Sequence, residues 1–135
     1  MRNNNTAVVA LGVGLFLAQL PALAHHSFNA EYDQQKPITL EGTVAQFEFM
    51  NPHSWIHVDV KDASGKLVRW SVETGSTNAL FRRGWKKDSL KPGDQVIIDA
   101  YLAKDASHTA NATAVKLPDG RRVFTGSSVD GSPVR

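Results

Sequence analysis

The chain has 135 residues, with 15 Lys or Arg against 13 Asp or Glu and no Cys. That near balance of charge gives no case for nucleic-acid binding. The lack of thiols excludes disulfide staples, thiol catalysis, an N-terminal lipidated cysteine, and cysteine-built zinc or iron–sulfur sites.

Residues 1–24 read as a secretory signal. Arg2 supplies the positive end, Ala7 to Leu20 the apolar stretch, Pro21 the break, and Ala22-Leu23-Ala24 a small-x-small cleavage site. The apolar stretch is too short to span a bilayer as a folded helix, and no stop-transfer pattern follows it. Cleavage leaves 111 of the 135 residues and lowers the basic count from 15 to 14, so the sequence pI of 9.0 overstates how basic the mature chain is. A chain of that length suits one domain with a modest core. The expected compartment is outside the cytoplasm, the periplasm in a Gram-negative cell, with no membrane span once the signal is removed.

Residues 25–37 are polar with two aromatics, Phe28 and Tyr32, and read as an N-terminal arm ended by Pro37. From Ile38 to Val44 apolar and polar residues alternate, the pattern of a half-buried strand, with Gly42 marking a bulge or bend. This strand continues through Phe47 and Phe49 to the break at Asn51-Pro52. Ser54 to Lys61 and Lys66 to Glu73 form a hairpin around Asp62-Ala63-Ser64-Gly65. Ile56, Val58 and Val60 face inward with Val68, Trp70 and Val72. Trp55, His57 and Asp59 face outward with Arg69, Ser71 and Glu73. Gly75-Ser76-Thr77 begins a short helix over Asn78 to Arg83, which Gly84 stops. A strand from Gln95 to Leu102 follows the Lys91-Pro92-Gly93-Asp94 turn, another runs from Asn111 to Leu117, and Arg121 to Phe124 pair back. Residues 38–125 thus form the β domain, and residues 126–135 a flexible polar tail.

Three strands, a short helix and two further strands, with the first strand bent, predict an all-β fold with one short helix. The arrangement is a small OB-like five-stranded barrel, with a small β-sandwich as the alternative.

Three groups of residues carry chemistry. Signal cleavage places a free amine on His25 beside the imidazoles of His25 and His26, an arrangement that chelates Cu(II) or another late transition metal in a tetragonal nitrogen set. The bland reading is a solvated start to the chain. His53 and His57 lie four apart on an extended segment, which separates them by roughly 13 Å, so they cannot share one metal on a regular strand. His53, on the loop side of the Asn51-Pro52 break, can turn toward His25 or His26, with Asn51 and Trp55 shaping the pocket. His108 is a weaker third candidate. The outer hairpin face of Trp55, His57, Arg69 and Glu73, together with Arg82, Arg83, Lys86 and Lys87, forms a surface for a protein or anionic partner. Its plain alternatives are a solvated stripe and cations that offset the helix dipole while Trp85 packs beneath. No nucleophile elbow, zincin motif, phosphate loop or dinucleotide fingerprint is present, so no catalytic residue is assigned.

The segments Ala24-His25-His26-Ser27-Phe28, Asn51-Pro52-His53-Ser54-Trp55, Arg82-Arg83-Gly84-Trp85, Leu90-Lys91-Pro92-Gly93-Asp94 and Leu117-Pro118-Asp119-Gly120-Arg121-Arg122 together resemble a family of small exported bacterial proteins known as a domain of unknown function. The likeness runs from about Ala24 to Phe124. It implies a signal peptide followed by one β domain and supplies no activity, cofactor or catalytic residue. The expectation from the residues is an exported, non-enzymatic binding domain that takes a metal through His25, His26 and His53. A metal-free interaction module is the alternative, and a copper-dependent oxidative enzyme the third choice.

Overall fold

The computed structural model describes residues 27–131, so the expected signal and the His25-His26 pair lie outside the described residues. Two short helices and six strands follow one another: α1 (Phe28–Glu31), β1 (Tyr32–Glu48), β2 (Trp55–Lys61), β3 (Leu67–Glu73), α2 (Thr77–Phe81), β4 (Gln95–Ala103), β5 (Thr109–Lys116) and β6 (Arg122–Phe124). The fold is all-β, as the alternation predicts.

The long first strand organises the sheet. Its first part pairs antiparallel with β4, from Tyr32 opposite Ala103 to Thr43 opposite Gln95. Its second part pairs antiparallel with β2, from Gly42 opposite Val60 to Glu48 opposite Trp55. β2 pairs with β3, β4 with β5, and β5 with β6, all antiparallel. A short parallel ladder joins β3 to β5 through Ser71–Thr109, Val72–Ala110 and Glu73–Asn111. That ladder closes β1, β2, β3, β5 and β4 into a ring of five strands, with α2 between β3 and β4 in sequence and β6 outside the ring.

Two expectations about the first strand change. Over its described part, the stretch read as an N-terminal arm makes one helical turn and enters β1 at Tyr32, six residues before the expected start of the strand. The register slips between Tyr32 and Pro37, where proline has no N–H to give the ladder. The bulge lies between Val44 and Gln46 rather than at Gly42. Gly42 answers a different need. It sits where β1 is paired on both sides, and a Cβ there would run into the Asp59 carbonyl of β2.

The ring interior holds Ile56, Val58, Val72, Ile98, Ala110, Ala112 and Val115, all fully buried. Alternation puts their neighbours outward, as period-two patterning requires. Leu80 of α2 and Trp85 complete this core. Ser76 caps α2 by accepting from the Ala79 amide at 3.2 Å, and Gly84 leaves the helix at φ 89°. Trp85 packs against Phe47, with ring centroids 5.7 Å apart, and donates from Nε1 to the Phe124 carbonyl at 2.7 Å. The segment after β6 is anchored over its described part. The Thr125 and Ser127 side chains are buried, and the Asp130 carboxylate accepts from the Gly126 amide at 2.7 Å and pairs with Arg83 Nε at 3.0 Å.

Candidate functional site

One end of the ring gathers the start of β1, the end of β3 and the start of β5, with α1 and the β1–β2 loop beside them. The functional chemistry of the described residues concentrates there.

The β1–β2 loop is held rigidly. Asn51 Oδ1 accepts from both the amide and the hydroxyl of Thr77, at 3.1 and 2.9 Å, tying the loop to the first turn of α2. The Asn51–Pro52 peptide is cis. Ser54 is fully buried. Its amide donates to the Gly75 carbonyl at 3.0 Å, its carbonyl accepts from the Thr74 amide at 2.8 Å, and its hydroxyl bonds the Met50 backbone. These bonds fix the backbone on either side of His53.

His53 then turns inward and places Nδ1 on Oε1 of Glu73. The Glu73 side chain is only 7% exposed. Its other oxygen, Oε2, accepts from the Tyr32 hydroxyl and from Asn111 Nδ2 at 3.4 Å. Asn111 is held in turn by Ser127, whose hydroxyl donates to Asn111 Oδ1 at 2.5 Å. The parallel ladder makes this possible by setting Glu73 opposite Asn111, while β1 brings Tyr32 from the far side of the ring. Burial, and next its hydrogen bond to Glu73, push the Tyr32 phenol far above its ordinary value, so it remains a donor.

Beside this network lies a cleft of about 390 Å³, lined among others by Phe28, Glu31, His53, Glu73, Asn111 and Ser127. It contains two carboxylates, one imidazole, and no Lys, Arg or sulfur among its described lining residues. Phe28 sits between Tyr32 and Tyr101, with centroids 5.5 and 5.8 Å away, which fixes α1 on the rim.

The other residues marked in the sequence distribute differently. His57 stays on the outer hairpin face, with Nδ1 3.1 Å from Ser71 Oγ and Nε2 3.5 Å from Glu48. It and His53 therefore serve different partners, as strand spacing requires. Glu73 keeps its place opposite Trp55 in the β2–β3 ladder, but the expectation of an exposed position beside Arg69 is corrected: Tyr32, His53 and Asn111 close over it and leave it buried. Arg69 binds both Asp59 oxygens, at 2.7 and 2.9 Å, which holds the Asp59 carboxyl below its ordinary range. Arg83 is engaged by Asp130, while Arg82 is exposed at the C-terminal end of α2. Trp55 lines a neighbouring cleft with Tyr32 and Lys104. His108 lies against Trp70, tilted by 56° at a centroid distance of 5.0 Å. Among the described residues no group of three or more His, Asp or Glu side chains is arranged to hold a metal.

Tyr32, Asn111 and Ser127 were not singled out from the sequence. The legible signal was Asn111, an amide flanked by Ala110 and Ala112 within a strand.

Fold and site define a small all-β protein whose polar chemistry is a buried carboxylate at one end of a ring of strands. The chain belongs to the family of unknown function DUF6152, matched over residues 14–112. No curated protein and no solved structure matches it. Among the described residues no helix is long and apolar enough to cross a membrane.

Proposed function

We propose that the protein is an exported, non-enzymatic binding domain that takes up Cu(II) or a similar late transition metal through His25, His26 and His53. The observation that carries this reading is the clamp of Glu73 on His53 Nδ1. Metal-binding histidines characteristically donate one ring N–H to a carboxylate, which fixes the tautomer and makes the other nitrogen the ligand. His53 has that outer partner, and Nε2 is its coordinating nitrogen.

The second support is position. Phe28 and Glu31 line the same cleft as His53. His26 and His25 precede Phe28 by two and three residues, a reach of up to about 10 Å for extended chain. Among the described residues the cleft lining has one imidazole, so this reading takes its remaining nitrogens from the amine and imidazoles of His25 and His26. Two cleft carboxylates favour a cation.

The test is Cu(II) titration of protein beginning at His25, with its mass confirmed, followed by electron paramagnetic resonance. A one-to-one site with a tetragonal nitrogen signal, lost when one residue is added before His25 and weakened by His53→Ala, supports the reading. Non-stoichiometric binding indifferent to both changes overturns it.

A second reading, a docking module for an acidic periplasmic protein, has its own observation. Phe81 is 69% exposed at the end of α2 beside exposed Arg82, with Lys86 and Lys87 also exposed. Salt-sensitive capture of one partner that persists in chelator and is lost in Phe81→Ser with Arg82→Glu would favour it over the metal site.

A further inference from the structure

We propose that the cleft is a binding site for a small organic cation with N–H donors, a primary alkylammonium group, with Glu73 as its acceptor and Phe28 as its aromatic wall. This goes beyond the metal reading above: every residue it uses is described in the structure, and it needs no metal. The space of about 390 Å³ falls within the usual range for a small-ligand site. Its polar floor is held in place by the fold. The Glu73 carboxylate, 7% exposed, accepts from Tyr32 and Asn111 on Oε2 and meets His53 on Oε1. An ionised carboxylate has about four acceptor positions, and these partners fill three of them. One acceptor position remains on a nearly enclosed anion, and a donor entering the cleft is what can satisfy it.

The sign of the cleft selects the charge of the ligand. The whole chain has a formal net charge of +2, yet the lining brings Glu73 and Glu31 together with no Lys or Arg among its described residues. The negative field is therefore local to the cleft, and it attracts a cation against the average charge of the protein. The lining also carries an aromatic rim. Phe28 is fixed against Tyr32 and Tyr101, with ring centroids 5.5 and 5.8 Å away. The face of a phenyl ring attracts an ammonium group within about 6 Å of its centroid. Carboxylate and ring together suit an ammonium group on a short carbon chain, with N–H donors on Glu73 and alkyl carbons against Phe28. An anion is repelled by both carboxylates, and a neutral alcohol gains no charge attraction.

The probe is n-butylammonium, titrated into protein beginning at His25 at pH 8, where an alkylamine stays charged. A chelator is present throughout, and amide NMR follows binding, with 1-butanol and tetramethylammonium as controls. Saturable one-site shifts are expected at the Asn111 side-chain amide and the Gly75 and Gly126 backbone amides. 1-Butanol, which has no charge, and tetramethylammonium, which has no N–H, are each expected to bind more weakly. Glu73→Gln should weaken butylammonium by about tenfold or more, the range for a hydrogen bond to a charged group. Phe28→Leu should weaken it by about two- to fivefold. Shifts that do not saturate, equal binding of butylammonium and either control, or unchanged affinity in a folded Glu73→Gln overturns the inference. If Glu73→Gln does not fold, Phe28→Leu and Glu31→Gln, on an exposed helical turn, decide: unchanged affinity in both overturns it. The chelator separates these outcomes from the metal reading, which the Cu(II) titration tests by itself.

Discussion

Replacing Glu73 by glutamine keeps the side-chain shape and removes its role as a pure acceptor. Three donors converge on the carboxylate: the Tyr32 hydroxyl, the His53 ring and the Asn111 amide. A glutamine has one carbonyl oxygen, so its NH2 must face either His53 or the Tyr32–Asn111 pair. His53 is 39% exposed and can turn to water, whereas Tyr32 is 4% exposed and cannot. The cheaper orientation gives the oxygen to Tyr32 and replaces the charge-assisted His53 bond by, at best, a neutral one in which Nδ1 accepts from the new NH2. Hydrogen bonds to charged groups contribute about 1.5–3 kcal/mol and neutral ones about 1 kcal/mol. The 3.4 Å Asn111 contact is long and adds little. Relief from burying a carboxylate offsets part of the loss, which leaves a net destabilisation of about 2 kcal/mol. For a domain of this size that lowers the melting temperature by about 8 °C. Glu73→Leu leaves the buried Tyr32 and Asn111 donors without this acceptor and costs about 4 kcal/mol. Circular dichroism melts and urea titrations at neutral pH measure both. If Glu73→Gln matches or exceeds the parent, or the leucine variant is the more stable of the two, desolvation dominates and the network is not the stabilising hub described here.

Three further outcomes follow from the same geometry. The Tyr32 phenol has an ordinary pKa of 10.0 and is raised in the fold, so its contribution is complete below pH 10 and lost as pH climbs toward the folded value. The parent melting temperature should therefore fall more steeply above pH 10 than that of Tyr32→Phe, and parallel curves would contradict the assignment. Trp85→Phe removes the 2.7 Å bond to the Phe124 carbonyl and leaves a void at a site 1% exposed, costing about 2 kcal/mol in urea titration. A cost near zero would show that Trp85 is not a core anchor. Gly75→Ala drives a Cβ to 2.7 Å from the Gly126 carbonyl, where only backbone can yield. It should cost about 1–3 kcal/mol and speed exchange of the Gly75 amide, which donates to Thr125 at 2.7 Å. Unchanged exchange would mean that this crossing is looser than described.

The sequence by itself determined the elements. Period-two alternation marked Ile56, Val58 and Val72 as inward, Ser76 and Gly84 bracketed α2, and the Lys91–Asp94 turn announced β4. These are local signals, written into neighbouring residues by backbone geometry and side-chain burial. Four-residue spacing on an extended segment likewise separates His53 from His57. Alternation also placed Glu73 outward with Arg69, and there tertiary structure decided otherwise. Whether the last residue of a strand meets water depends on what covers that end, here Tyr32, His53 and Asn111. Pairings between residues 41 and 38 positions apart, Tyr32 with Glu73 and Glu73 with Asn111, leave no local pattern. Pro37 read as a terminator because proline lacks a donor, yet β1 runs through it by slipping register. Local chemistry thus named the strands and the histidine, and closure of the ring through β3 and β5 chose the carboxylate that holds it.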